Sequence, residues 1–180
     1  TEVTQLIRGE NLLNGFDKDL SESLEKSMTS LGINLKFKNQ LKSIKKTNYD
    51  LESTLESGSK LLSNNILVAT GREPALKKLN LDILNLKMEG IYLDVNEFNQ
   101  TSKSNIFAIG DIIKKPNLTP VAIEQGRVFA DNYFADLKRK VNYENIPKAV
   151  FTIPEISTVG LSEEKAKEIY LEENIQVFKC

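Results

Sequence analysis

The stretch Ile106–Arg127, IFAIGDIIKKPNLTPVAIEQGR, decides the fold. It reads as a buried strand ending on Gly110-Asp111, a short loop, and a helix opened by Thr119-Pro120. A strand that stops on a small residue followed by a carboxylate leaves that carboxylate at the C-terminal edge of a sheet, where open α/β folds bind their ligands. Thr119 is a favourable N-cap, and Pro120 at the first helical position forfeits no hydrogen bond. The helix N-terminus then directs its free N–H groups and the positive end of its dipole into the same crevice. Such a crevice suits a ligand carrying hydroxyls and an electron-rich, polarizable end.

The surrounding pattern is α/β. The helix runs from Thr119 to about Lys138, and Val121, Ile123, Val128, Phe129, Tyr133, Phe134 and Leu137 give it a broad apolar side expected to pack inside. Upstream, IYLDV (91–95) is a strand, separated from IFAIG by the polar turn NEFNQTSKSN (96–105). EVTQLIR (2–8) reads as a buried strand, GENLLNGFD (9–17) as a loop, and Asp17 as the cap of a helix. Leu20, Leu24, Met28 and Leu31 recur on one face of that helix, and Gly32 suits its C-terminal end. INLKFK (33–38) alternates like a strand, LKSIKK (41–46) and LESTLE (51–56) form a meander, SGSK (57–60) is a turn, and NILVATGR (65–72) is a second buried strand. Strand, helix, antiparallel insert and returning strand make residues 1–72 the second half of a nucleotide-binding α/β domain.

From Ile146 the pattern changes. KAVFTIPEISTVG (148–160) holds strand material, Ser162-Glu163-Glu164 caps a short helix, and IQVFK (175–179) starts another strand. Three segments follow: 1–72, 73–145 and 146–180, the last opening a further domain. Both ends are read as cuts through a larger protein.

Composition narrows the function. The chain has 180 residues, 40% hydrophobic and 27% charged, which suits a globular protein with a real core. A net charge of -1 argues against nucleic acid as a bulk electrostatic partner. No apolar run reaches the length of a membrane span, and TEVTQLIRGE lacks a signal-peptide pattern, so a cytoplasmic location is expected. The single cysteine, Cys180, excludes an internal disulfide and a cysteine-based metal site; it is expected to be an ordinary thiol. The absence of histidine removes the commonest general base and metal ligand, and no metal site is expected.

An ordered set of motifs resembles the flavoprotein disulfide reductases, the pyridine-nucleotide-dependent group that includes glutathione reductase. The set comprises Ile7-Arg8 with Gly15-Phe16-Asp17, Ala69-Thr70-Gly71-Arg72-Glu73-Pro74, Thr101-Ser102, Ile106–Asp111, Leu118–Ile123 and Gly126-Arg127. Pro147, Val150-Phe151, Pro154 and Thr158–Glu164 complete it. Each motif alone is weak; their order and spacing cover essentially the whole chain. The resemblance implies the C-terminal half of a Rossmann-like NADPH domain (1–72), the returning segment of an FAD domain (73–145), and the start of an α+β dimerisation domain (146–180). It implies FAD and NADPH as cofactors and a homodimer in the full-length protein.

The resemblance also assigns residues. Asp111 accepts from a ribityl hydroxyl of FAD, with Gly110 letting the backbone approach; the plain alternative is a turn cap. Leu118 and Thr119 open the helix aimed at the flavin N1/C2 carbonyl edge, where the dipole favours the anionic reduced flavin. Arg8 suits the 2′-phosphate of NADPH, where an acid would suit NAD, unless it is a solvated surface arginine. Asn14 stands where many glutathione reductases carry a second arginine. Gly71 and Arg72 close over the dinucleotide, or Arg72 forms a loop salt bridge. Ala149 offers its carbonyl to the nicotinamide amide.

Within the family, Arg8, Arg127 and the segment LTPVAIEQGR favour glutathione reductase, with oxidised glutathione as substrate. Arg127 would grip a carboxylate of the peptide, or pair on the helix surface with Glu124 or Asp131. Dihydrolipoamide dehydrogenase, another family member, and a non-catalytic nucleotide-binding remnant are the alternatives. None of the 180 residues supplies the Gly-rich phosphate turns, the redox cysteine pair or the His-Glu proton shuttle that the reaction requires, so no catalytic residue is expected here and the stretch by itself is expected to be inactive.

Overall fold

In the computed structural model, which describes residues 1–179, the strand β1 (Val3–Leu6) pairs in parallel with β2 (Ile33–Lys36), Val3 opposite Ile33 and Leu6 opposite Lys36. Cys180 lies outside the described residues. Parallel strands need a crossover, and α1 (Lys18–Ser30) supplies it, lying against β2. Leu24 is its buried anchor, 1% exposed, with Leu20 and Met28 half-buried beside it. The Ser21 hydroxyl donates to the Leu12 carbonyl at 2.6 Å, tying the loop of residues 9–17 to the helix. Asp17 occupies the N-cap position without capping α1. At the far end Gly32 takes φ +83°, the left-handed conformation that ends a helix at low cost in glycine.

The meander is three-stranded: β3 (Leu41–Lys46), β4 (Leu51–Leu55) and β5 (Lys60–Ser63), all antiparallel. Gly58, at φ +82°, turns the chain between β4 and β5. These elements belong to one compact unit, Thr1–Ala69 together with the chain from Asn145 onward; Thr70–Glu144 forms the other.

Two strands read from the sequence differ here. EVTQLIR is a strand only over β1, and its residues are mostly exposed, because a single neighbour covers one edge and neither face. NILVATGR forms no strand: among the described residues nothing pairs with it, and Leu67 is 92% exposed. Its apolar run signals burial, but a strand needs a ladder partner.

The second unit is built around Leu93, Ala108 and Ile113, with Leu76, Leu81, Leu86, Val95 and Ile112 packed on them. Its only regular strands among the described residues are the hairpin β6 (Met88–Glu89) and β7 (Tyr92–Leu93), turned by Gly90. IFAIG is irregular rather than a strand, with one bridge from Phe107 to Gln100 before Gly110–Ile112 close a 3₁₀ turn. The turn captures the end of the segment: Ile113 donates back to Gly110 at 3.3 Å.

The long helix, α2, spans Thr119–Phe134. Leu118, not Thr119, is its N-cap residue, and no side chain caps it; Thr119 is already helical and Ala122 donates to the Leu118 carbonyl at 3.1 Å. It stops four residues short of Lys138 because Asp136 turns left-handed and Leu137 donates back to the Asp131 carbonyl. Arg139 then pairs with Asp131 and Glu124, and its backbone bonds Asn132, laying this segment along the helix. The apolar side of α2 is divided. Val121, Gln125 and Val128 are buried, whereas Ile123, Tyr133 and Phe134 are exposed, as is Leu137 beyond the helix end.

The chain then returns to the first unit with β8 (Lys148–Val150) antiparallel to β9 (Ile156–Thr158), followed by α3 (Glu163–Ile169). Ser162 caps α3 as expected, accepting from Lys165 N–H at 3.2 Å. The Glu163 N–H at the same helix start donates to the Asp17 carboxylate at 3.0 Å, docking α3 onto the loop before α1. IQVFK forms no strand, and Phe178 is exposed.

Candidate functional site

The site grows from the Gly110-Asp111 turn. Gly110 holds φ +74°, a conformation that L side chains rarely adopt. A Cβ there would meet Ala122 Cβ at an ordinary 3.7 Å, so the left-handed backbone rather than crowding calls for glycine. The same contact shows the first turn of α2 lying against the turn. The Gly110 N–H does not face outward: it donates to Gln125 Oε1 at 2.6 Å. Gln125 is fully buried, and its Nε2 donates to the Tyr143 hydroxyl at 3.1 Å. Lys115 Nζ sits 5.0 Å from the centre of the Tyr143 ring, a cation–π contact.

Asp111 opens onto a cleft of about 220 Å³ whose walls include Arg72, Glu73, Pro74, Tyr92, Ile112 and Asn117. Arg72 Nη2 lies 2.8 Å from Asp111 Oδ2, with the guanidinium 78% exposed and the carboxylate 40% exposed. The loop salt bridge allowed by the sequence is therefore formed, and Asp111 is its partner. One carboxylate offers about four acceptor sites, so Asp111 keeps capacity for a hydroxyl. Lys114, three residues on, bonds Glu89 at 2.8 Å, and that bond raises its ammonium above the ordinary lysine value.

Thr119 and Leu118 stand at the start of α2, Thr119 exposed and Leu118 half-buried. Gly71 takes φ +135° in the segment leading to Arg72. Arg127 is on the exposed side of α2, 3.9 Å from Glu124, while Arg139 holds both Glu124 and Asp131. Arg127 is thus loosely held.

Arg8 and Ala149 belong to the first unit. Arg8 is exposed just beyond β1, and among the described residues no carboxylate pairs with it. Asn14 Oδ1 lies 3.6 Å from the Cβ position of the neighbouring Gly9, so the loop brings residue 14 back to the end of β1. Ala149 sits mid-strand in β8, opposite Ser157.

Sequence reading missed Gln125, Tyr143 and Tyr92. The signal for Gln125 was present: a lone amide at helical spacing between Val121 and Val128, on the face that is buried. A polar group on such a face requires partners.

A family model described as pyridine nucleotide-disulphide oxidoreductase matches residues 1–126, and the dimerisation domain of the same family matches residues 146–180. A glutathione reductase of Nostoc sp. is 36% identical over 99% of this chain and 42% of its own length; one from Burkholderia cepacia is 34% identical over 98% and 39%. A mercuric reductase of Lysinibacillus sphaericus is 36% identical over 93% of this chain and 32% of its own. The chain thus spans about two-fifths of the length of the glutathione reductases it matches. In fold it superposes on the HOCl-induced flavoprotein disulfide reductase RclA from Escherichia coli with a TM-score of 0.86 at 24% identity, over 93% of this chain and 39% of that one.

Proposed function

We propose, from the premise that this chain belongs to the pyridine nucleotide-disulphide oxidoreductase family, that it is part of an NADPH-dependent flavoprotein disulfide reductase acting on oxidised glutathione. In this reading residues 1–72 are the second part of the NADPH domain, 73–145 the returning part of the FAD domain, and 146–180 the start of the dimerisation domain. The full-length protein is a homodimer working in the cytoplasm.

One observation carries the reading: a glycine-enabled turn, lying against the first turn of α2 at Ala122, presents the Asp111 carboxylate to a cleft whose lining reaches Asn117, two residues before that helix. A carboxylate with spare acceptor capacity and a helix N-terminus suit the hydroxyls and the electron-rich edge of FAD. The cleft at about 220 Å³ fits a portion of the cofactor, not all of it. When bound, FAD would pass reducing equivalents from NADPH to a disulfide.

The chain's own residues then bind and orient. Asp111 accepts a ribityl hydroxyl. Leu118 and Thr119 set the helix end at the flavin edge, with Gly110 shaping the turn. Arg8, Gly71, Arg72 and the Ala149 carbonyl serve NADPH. Arg127 grips a glutathione carboxylate, and its loose pairing supports that role over a fixed ion pair. The mercuric reductase likeness supports a second reading, in which the substrate of the full-length enzyme is not oxidised glutathione. Arg127→Ala tests the first: it raises KM for oxidised glutathione, and an unchanged KM counts against it.

The direct test is flavin retention. Asp111→Ala in the full-length protein weakens FAD binding by about 1–3 kcal/mol, as expected when a bound ribityl hydroxyl loses its acceptor. Full flavin occupancy after dialysis, equal to wild type, would overturn the assignment.

A further inference from the structure

We infer that Gln125 and Tyr143 form a positioning relay that sets Asp111 toward its ligand, an inference resting on the flavin reading above. Gln125 Oε1 accepts the Gly110 N–H at 2.6 Å, and Nε2 donates to the Tyr143 hydroxyl at 3.1 Å. An amide satisfies this pair in only one orientation, since one of its ends accepts and the other donates. The Gln125 side chain is completely buried and its two partners are half-buried, so both bonds are shielded from water on the glutamine side. Gly110 is the residue whose left-handed backbone delivers Asp111. Fixing its N–H anchors the Ile109–Gly110 peptide plane at the entry of the turn, from which the left-handed φ of Gly110 leads on to Asp111. Tyr143 is held in turn by the Lys115 cation over its ring, so the relay runs from Lys115 to Tyr143, Gln125, Gly110 and Asp111. None of the first four needs to touch the ligand.

The relay predicts coupling as well as loss. Gln125→Met preserves length and removes both bonds, and FAD affinity should fall about tenfold. In an Asp111→Ala background the same change should cost almost nothing, because its effect passes through Asp111. A merely structural role would lower affinity by the same factor in both backgrounds. Tyr143→Phe supplies a second readout: it removes the hydroxyl that Gln125 Nε2 bonds, and its loss of FAD affinity should likewise vanish in the Asp111→Ala background.

The experiment is titration of the deflavinated full-length protein with FAD, followed by flavin fluorescence, for wild type, Gln125→Met, Tyr143→Phe, Asp111→Ala, and the double variants of each of the first two with Asp111→Ala. Circular dichroism checks each fold. Additive losses in the double variants, or a Tyr143→Phe affinity equal to wild type, overturn the relay alone. An Asp111→Ala affinity equal to wild type overturns the flavin reading and the relay with it. If Gln125→Met fails to fold, the Tyr143→Phe pair of variants decides.

Discussion

The carboxylate of Asp17 accepts a hydrogen bond from the backbone N–H of Glu163 at 3.0 Å, across 146 residues of chain. Asp17 is placed to cap α1 and instead serves the start of α3, whose first N–H groups have no partner within the helix. A carboxylate at a helix start also meets the positive end of the dipole. The bond joins the beginning of the unit to its last helix.

Asp17→Ala should therefore destabilise this unit by about 1 kcal/mol, and Asp17→Asn by less, because the amide oxygen still accepts. Urea unfolding followed by circular dichroism measures both. Equal losses for the two variants would mean that charge, not the hydrogen bond, carries the contact.

Arg8 and Asn14 are expected to set nucleotide choice. In the full-length protein Arg8→Glu should raise KM for NADPH far more than for NADH, by roughly ten- to a hundredfold. Asn14→Arg should act in the opposite direction, since residue 14 folds back to the loop following Arg8. Steady-state kinetics with both nucleotides is the check. An unchanged NADPH/NADH ratio in both variants would remove Arg8 from the phosphate site.

The Arg72–Asp111 pair separates a ligand role from a structural one. An ion pair this exposed contributes about 0–1 kcal/mol to stability. Arg72→Ala should leave the unfolding midpoint nearly unchanged while raising KM for NADPH by roughly tenfold. A drop in stability with an unaltered KM would make the pair a loop fastener only.

Stability should fall at both ends of the pH scale. Bonding to its own helix-start N–H, with Ser162 adding, lowers the Glu164 pKa; the Lys38 hydrogen bond lowers that of Glu10. A depressed carboxyl stabilises the fold above its unfolded value of about 4.3, and that contribution disappears as pH falls through the lower folded value. Lys167, bonded to Glu163 and Glu172, and Lys179, bonded to Asp19, are shifted upward. Their contributions are full below about 10.4 and vanish as pH rises through the raised folded values. Urea midpoints across pH test this, and Glu164→Gln should flatten the acid limb.

Local chemistry makes much of this chain legible in its sequence. Gly32 and Gly58 end a helix and turn a hairpin because only glycine takes a left-handed φ cheaply, and the Ser162-Glu163-Glu164 cap follows from unpaired N–H groups. The ordered motifs around Gly71-Arg72, Gly110-Asp111 and Leu118-Thr119 carry the family resemblance. Partnership is not legible there, because it depends on what lies across space. NILVATGR and IFAIG have the composition of strands, but a strand exists only where another chain segment completes its hydrogen bonds. The apolar residues of α2 run along its whole length, yet packing covers Val121 and Val128 and leaves Phe134 outside. Only the tertiary structure pairs Arg72 with Asp111, takes Asp17 from its own helix to another, and closes Gln125 between Gly110 and Tyr143. A side-chain hydrogen bond reaches about 3 Å whatever the sequence separation of its partners, so no spacing rule announces it.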